Sequence, residues 1–282
     1  MTGLLTVPAP GVHQLTDAEY FGSELARVSL SSTGVRELIK PGGPARFRYK
    51  ADAGLVETKR EYDLGHAVHT LVLGSGPELV LFAGTGANPE AWQKADDKAK
   101  VAALRAEGMV PLRPSDYLAA RLMAEAVENH PLAAKLFTRG QPEQTLIWED
   151  PDTGVLCRCK VDWLRPDGIV DLKTAESADA DAQSKAAYNH GYAIQEPFYL
   201  RGFRARFPDV DPFFTFVAVE KEPPYLVHVT QLKERAVAWG DRKCAEALQI
   251  YRDCCEAGVW PGYPLDEITD IDLPAWVRTE EW

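Results

Sequence analysis

The feature that most restricts the fold of this chain is a short turn, Arg165-Pro166-Asp167-Gly168, between two strand-like segments. Proline and aspartate at the centre of a turn, followed by glycine, are typical of a tight β-turn. The flanking segments, Val155 to Leu164 and Ile169 to Leu172, are rich in β-branched and other apolar residues. We therefore predict a β-hairpin, and the length of its turn determines which side chains of the two strands face each other.

The predicted register brings two acidic side chains together. If Pro166 and Asp167 form the loop, Asp162 lies opposite Asp171, with Cβ atoms about 4.5 to 5.5 Å apart. A bulge at Gly168 would shift this pairing by one residue, and the sequence leaves that alternative open. Adjacent carboxylates repel each other unless a cation compensates, and their hard oxygen ligands suit Mg²⁺ or Mn²⁺. Lys173 shares the strand face of Asp171 and can act on a water molecule there, although a salt-bridged surface strand has the same pattern.

The rest of the chain alternates between helical and strand-like spacing. Helical spacing or capping predicts helices after Ser31, over 64–73, from Ser115 to His130, over 178–207 and over 232–257, and residues 84–100 resemble an irregular excursion. Further strands are predicted at 144–148, 213–219 and 225–229, the first of which joins the hairpin in an antiparallel meander. This order predicts an α/β (α+β) fold with a mixed central sheet flanked by helices.

Charge is unevenly distributed along the chain. Lys and Arg number 31 against 42 Asp and Glu, a net charge of -11, which argues against a protein that coats nucleic acid with its whole surface. Residues 27–60 hold eight basic and three acidic residues, whereas residues 262–282 hold six acidic residues and one arginine. Both runs can be ordinary solvated surfaces; alternatively, the first is a strip that faces phosphate. With no membrane span and no signal-peptide pattern, we expect a cytoplasmic protein with reduced cysteines.

Several motifs, in order along the chain, resemble the RecE-like exonucleases of the PD-(D/E)xK superfamily, which are related to lambda-type and RecB-type nucleases. The motifs are Trp148 to Asp162, Asp171-Leu172-Lys173-Thr174, Leu64 to His69, the segment from Gln195 to Tyr199, and Trp260-Pro261 followed by Leu273 to Trp276. The resemblance begins at about residue 15 and implies one nuclease domain over 1–282. It would comprise a basic helical segment (15–60), the nuclease core (61–257) and an acidic extension (258–282).

The resemblance also implies the site residues. The implied catalytic set is Asp162, Asp171, Lys173, Glu143, Gln195 and Tyr199, and the implied metal set is His69, Asp162, Asp171 and Leu172. Glu149 is the alternative to Glu143 as the additional acid, but it falls in a predicted turn. Candidate phosphate contacts are Arg46, Arg48, Arg158, Lys160 and Lys185, although Lys160 can instead pair with an acid across the hairpin.

The activity implied by the resemblance is Mg²⁺-dependent digestion of double-stranded DNA ends, with Mn²⁺ able to substitute. The expected polarity is 5′ to 3′, which leaves 3′ single-stranded overhangs for recombination. By analogy we expect a homo-oligomeric ring, a single-strand annealing recombinase as partner, and a phage or prophage origin. We expect no iron–sulfur cluster, because the cysteine spacing differs from that of RecB-like cluster proteins. The alternatives are a single-strand or structure-specific RecB-like nuclease and a catalytically silent DNA-end-binding protein.

Overall fold

The computed structural model describes residues 7–53 and 61–274 of the chain. Lys59 and Arg60 of the predicted basic segment, and residues 275–282 of the predicted acidic extension, lie outside the described residues. The strands are β1 (Gly11–His13), β2 (Leu79–Leu81), β3 (Val110–Leu112), β4 (Gln141–Glu149), β5 (Leu156–Arg165), β6 (Gly168–Ala175), β7 (Phe213–Glu220) and β8 (Val227–Thr230). The helices are α1 (Asp17–Tyr20), α2 (Ser23–Val28), α3 (Ser32–Leu38), α4 (Gly43–Ala53), α5 (Glu61–Leu73), α6 (Ala95–Ala106), α7 (Pro114–Asn129), α8 (Pro131–Leu136), α9 (Ala180–Asn189), α10 (Tyr192–Arg206) and α11 (Glu234–Ala257).

The main sheet has the strand order β1-β4-β5-β6-β7-β8. Only β6 and β7 pair in parallel in this sheet, as far as the chain is described, and the crossover that joins them contains α9 and α10. The predicted mixed sheet flanked by helices is therefore confirmed. Among the helices of the described residues, none combines the length and apolarity needed to span a bilayer.

Each face of this sheet is covered by helices. On one face, Ile169 of β6 belongs to a buried cluster with Leu38 of α3, Phe198 of α10 and Leu248 of α11. On the other face, neighbouring β6 residues pack with Val68 of α5 and with residues of α7. Successive residues of a strand point to opposite faces, so one strand contributes to both clusters. Both faces of β6 are consequently shielded from solvent over much of its length.

The hairpin has the predicted register. Trp163 pairs with Val170, and the two pairs between them and the turn follow the same register without a shift at Gly168. The ladder between β5 and β6 ends at Trp163 and Val170. Asp162 and Asp171 are the next residues along the two strands, so both acids lie where the strands part.

The pairing of β4 with β5 is interrupted beside Asp162. Pro142 pairs with Trp163 and Gln144 pairs with Val161, but Glu143 between them has a left-handed backbone with φ of 52°. Backbone strain of this kind in a non-glycine residue is concentrated at functional sites. Glu143 and Asp162 therefore lie side by side without backbone pairing, in a ladder that is otherwise continuous.

The region predicted as an irregular excursion over 84–100 is more ordered than expected. It leads into α6, and β2 and β3 on either side form a separate two-stranded parallel sheet. The buried Asp97 carboxylate accepts hydrogen bonds from the Thr85 backbone N–H, at 3.2 Å, and from the Thr85 hydroxyl, at 2.8 Å. The prediction is wrong for residues 95–100, because a buried side-chain contact and the packing of Val101 stabilise a segment with weak periodicity.

Candidate active site

Polar side chains from four secondary-structure elements meet where β5 and β6 part. The elements are α5, β5, β6 and α10, and the residues are His69, Asp162, Asp171, Lys173 and Gln195. All five are among the residues predicted from the sequence. Polar groups from distant parts of the chain converge here between two apolar clusters, which makes this region the candidate active site.

Asp162 is held by two donors. Its Oδ2 atom accepts a hydrogen bond from the Leu172 backbone N–H at 2.8 Å and lies 3.2 Å from His69 Nε2. His69 Nδ1 lies 2.9 Å from the Gly65 carbonyl oxygen, so both ring nitrogens face acceptors. Burial lowers the pKa of His69, but the Asp162 carboxylate more than offsets it and the pKa rises to about 9. The raised pKa favours the imidazolium form of His69, whose charge offsets that of Asp162.

Asp171 is the most deeply buried acid of the candidate site, with only 1 % of its surface exposed. Its Oδ1 atom accepts a hydrogen bond from Gln195 Nε2 at 2.6 Å, and its Oδ2 atom forms an ion pair with Lys173 Nζ. Burial raises the pKa of Asp171 to about 6; Lys173 opposes this shift, and Asp162 adds to it. Burial also lowers the pKa of Lys173, but Asp171 and Asp162 raise it above its usual range, so the ammonium stays charged.

Glu143 is the additional acid that the structure brings to this region. Its carboxylate lies 2.9 Å from Lys160 Nζ, and Lys160 also pairs with Asp17 of α1. Burial raises the pKa of Glu143, and the charge of Asp162 adds to that shift. Glu149 lies at the exposed far end of β4. Lys160 is thus engaged by two acids, but they lie on β4 and α1, whereas the alternative to a phosphate contact was an acid across the β5–β6 hairpin.

Arg158 does not reach the surface of the candidate site, and the prediction of a phosphate contact there is corrected. Its guanidinium donates hydrogen bonds to the carbonyl and hydroxyl oxygens of Ser29, both at 2.8 Å, and lies 5.1 Å from the centre of the Tyr20 ring. Only 6 % of the residue is exposed. The N-terminal helices cover this part of β5, so Arg158 anchors them to the sheet.

The other predicted phosphate contacts lie elsewhere. Arg46 donates hydrogen bonds to the Pro41 carbonyl oxygen and the Tyr263 hydroxyl, both at 2.7 Å, and Arg48 pairs with Asp52 in the same helix, α4. Lys185 is exposed on α9. The structure does not bring these three cations into contact with the acidic cluster.

Tyr199 shares a face of α10 with Gln195, as predicted from their spacing, but has a different environment. It is buried, and its ring packs edge-on against Phe214 at 6.2 Å between ring centres. Burial raises the pKa of its hydroxyl, and the charges of Asp171 and Asp162 contribute to this shift. Tyr199 therefore belongs to the buried apolar cluster that covers one face of the sheet.

Sequence reasoning missed Glu196 and did not place Arg36 near the candidate site. Glu196 is only 5 % exposed, and its Oε2 atom has no hydrogen-bond partner in the part of the chain that the structure describes. Burial together with Asp171 raises its pKa to about 8. The available signal was that Glu196 stands among apolar residues of the predicted helix, with Ile194 before it and Pro197 and Phe198 after it. Arg36 contacts the turn before α10, a contact between residues distant in sequence that no local pattern reveals.

The donor set of this cluster fits a divalent cation that prefers oxygen. Asp162 and Asp171 provide adjacent carboxylates, and the buried Asp171 Oδ2 atom, which is paired with the Lys173 ammonium, accepts no other hydrogen bond from the described residues. Within the described ranges, no three His, Cys, Asp or Glu side chains form a ready-made metal cage. Mg²⁺ characteristically uses one or two carboxylates and keeps several water ligands, whereas structural zinc sites need four protein ligands.

Comparison with known proteins shows the family and the fold of this chain. The model of the family described as a PDDEXK-like domain of unknown function (DUF3799) matches residues 45–268. The structure of a proposed exonuclease from Eubacterium rectale is 16 % identical in sequence and superposes with a TM-score of 0.60, covering 90 % of this chain and 97 % of the other, which shows a shared fold. A phage-related exonuclease from Haemophilus somnus is 11 % identical, with a TM-score of 0.36 over 84 % of this chain and 99 % of the other. No curated protein matches the sequence.

Proposed function

We propose that this chain, which belongs to the DUF3799 family of PDDEXK-like domains, is a metal-dependent nuclease. The observation that carries this proposal is the pair of acids, Asp162 and Asp171, at the end of the hairpin ladder with Lys173 beside them. Paired buried carboxylates are unfavourable in a protein that only binds the phosphates of DNA, because all these groups are negatively charged. The acids become useful when they hold a cation at a phosphodiester.

The proposed reaction is hydrolysis, in which a water oxygen forms a bond to phosphorus and the bond to the leaving oxygen of the sugar breaks. A divalent cation held by Asp162 and Asp171 would neutralise charge that develops on the phosphate. The Lys173 ammonium orients the attacking water through a hydrogen bond, and Gln195 fixes the Asp171 carboxylate. His69 fixes Asp162 through its Nε2 atom. Proton transfer from water to the leaving oxygen completes the balance.

The finer assignment is an exonuclease that degrades double-stranded DNA from its ends. It is supported by the RecE-like motifs and by the fold shared with the proposed exonuclease of Eubacterium rectale. We also propose digestion from 5′ to 3′ with Mg²⁺ or Mn²⁺, a homo-oligomeric ring and a single-strand annealing recombinase as partner. A ring with a basic channel would allow a chain with a net charge of -11 to hold DNA. Cytoplasmic localisation and a phage or prophage origin stay predictions.

The test is digestion of duplex DNA labelled at its 5′ or 3′ end, with Mg²⁺ and with a chelator. We expect Mg²⁺-dependent release of nucleotides from 5′ ends, and we expect Asp171→Ala and Lys173→Ala each to lower the rate by about 10² to 10³-fold or more. Lys221→Ala is the matched control, because Lys221 pairs with Glu176 in an exposed contact away from the acids. Thermal unfolding of each variant reports whether it folds.

The results separate the alternatives. Preferential digestion of single-stranded DNA would identify the RecB-like alternative. Binding of ends without cleavage under any metal would identify the silent end-binding protein. Cleavage by either site variant at close to the wild-type rate would overturn the assignment of the catalytic residues.

A further inference from the structure

Arg36 lies where α3 meets the turn between α9 and α10. Its Nη2 atom donates a hydrogen bond to the Asn189 carbonyl oxygen at 3.1 Å. Gly191, in the same turn, has φ of 79°, and a Cβ atom at this position would lie 2.3 Å from Arg36 Cδ and Nε. A glycine is thus needed both for the backbone conformation and for the space that the Arg36 side chain occupies.

Within residues 7–53 and 61–274, the charge of Arg36 has no contacting acidic partner. None of the described carboxylates forms an ion pair with it, and the adjacent Glu37 carboxylate is already paired with Lys40 and Lys50 at 3.3 Å each. The side chain is half-buried, and burial, the largest effect, lowers its pKa, although Tyr192 and Glu37 partly oppose this shift. A guanidinium that has lost part of its hydration without gaining a counterion is unfavourable, and a bound anion would offset that cost.

Tyr192 connects Arg36 with the acidic cluster. It follows Gly191 directly, and its ring stacks on Phe216 at 5.4 Å between ring centres. Lys173 Nζ lies 5.1 Å from the centre of the same ring. The charges of both Lys173 and Arg36 lower the pKa of the Tyr192 hydroxyl, although burial, the larger effect, raises it. Lys173 therefore lies against the Tyr192 ring, and Arg36 lies against the glycine that directly precedes Tyr192.

We infer that Arg36 binds a phosphate group of the DNA strand other than the phosphate that is cleaved. This inference rests on the proposed function. A guanidinium has five N–H donors in a planar fork that suits phosphate, and only one hydrogen bond engages them among the described residues. The phosphate is either an internal phosphodiester or the terminal phosphate of the strand. Arg36 would set the position of the strand relative to Lys173 and would take no part in bond breaking.

The test is the salt dependence of duplex binding, measured by fluorescence anisotropy with Ca²⁺ in place of Mg²⁺ to prevent cleavage. Arg36→Gln is compared with Lys243→Gln, which removes an exposed charge paired with Glu246 on α11. We expect the Arg36 variant to reduce the steepness of the log–log salt slope by about 0.9, the value for one phosphate contact, and the control to leave it unchanged. A duplex without a terminal phosphate distinguishes the two sources. If Arg36 binds the terminal phosphate, wild type and variant have the same salt slope on this duplex. If Arg36 binds an internal phosphodiester, their slopes still differ.

Cleavage kinetics give a second readout. Because Arg36 positions the strand, we expect its loss to raise KM by about 10-fold, which corresponds to the loss of one charge-assisted contact with phosphate, and to change kcat less. Arg36→Met keeps the aliphatic stem packed against Gly191 and repeats the test if Arg36→Gln unfolds. If the wild type binds and cleaves DNA but folded Arg36 variants keep its salt slope and KM, the inference is wrong and the proposed function stands. If the wild type neither binds nor cleaves DNA, the proposed function itself fails.

Discussion

The buried Glu196 side chain gives a prediction about stability that does not depend on enzymatic activity. We consider the substitution Glu196→Gln, which keeps the size and shape of the side chain but removes its ionisation. Glu196 is 5 % exposed and its Oε2 atom has no hydrogen-bond partner among the described residues, so the folded protein favours the protonated form. Its pKa rises from 4.5 to about 8, mainly because of burial, with an additional contribution from Asp171.

The sign and the size of the effect follow from proton linkage. A carboxyl group whose pKa is raised by folding binds more protons in the folded state, so it destabilises the protein progressively as pH rises above 4.5. At about 1.4 kcal/mol per pH unit, the cost is about 3 kcal/mol at pH 7 and about 1 kcal/mol at pH 5. The substitution removes this pH-dependent cost. The stability difference between variant and wild type should therefore become more favourable by about 2 kcal/mol from pH 5 to pH 7.

The assay is urea unfolding of both proteins at pH 5 and pH 7, with a chelator present so that no metal binds near Asp171. The glutamine amide can itself lack a partner, but that penalty is the same at both pH values and cancels from the comparison. Glu149→Gln is the control, because Glu149 is exposed on β4 and its substitution should change stability by less than about 0.5 kcal/mol. An equal effect of Glu196→Gln at both pH values would refute the reasoning.

Two other substitutions test the roles of residues at and near the acids. His69→Ala should raise the Mg²⁺ concentration needed for half-maximal cleavage by about 10 to 100-fold, because Asp162 loses the partner that orients it. His66 lies on the exposed side of α5, so His66→Ala should change this concentration much less. An unchanged Mg²⁺ requirement in His69→Ala would show that the role of His69 is structural. Arg158→Ala should lower the free energy of unfolding by about 2 to 3 kcal/mol in urea, because Ser29 loses a charged donor, yet leave the salt slope of DNA binding unchanged. A flatter salt slope in a folded Arg158→Ala protein would restore the predicted phosphate contact.

The sequence predicted the hairpin well because its determinants are local. A tight turn and two apolar segments are sufficient to define the register, and the structure has that register at Trp163 and Val170. The helix after Ser31 is equally local: the Ser31 hydroxyl accepts a hydrogen bond from the Gly34 backbone N–H at the start of α3. Such features depend on residues close in the chain.

The errors arose where distant segments determine the environment. Arg158 alternates along β5 as a surface residue would, but residues 17–29 cover it, and nothing within β5 indicates that cover. The left-handed backbone of Glu143 likewise depends on the partner strand, because the distortion faces Asp162. In the sequence, Arg36 is only one of the basic residues of 27–60. Its environment in the structure depends on Gly191, in the turn between α9 and α10.

The Leu172 amide has an unusual acceptor for a residue in the middle of a strand. It donates to the Asp162 side chain on the side of β6 where the ladder with β5 has ended. The rate at which this amide exchanges its proton with solvent therefore depends on the Asp162 carboxylate. A cation that draws Asp162 Oδ2 away would expose this amide to hydrogen exchange and shift its nuclear magnetic resonance signal, while the ladder amides at Val170 and Trp163 would stay protected. If a cation binds in this way, the signal of this single backbone proton would report cation binding without DNA and without turnover.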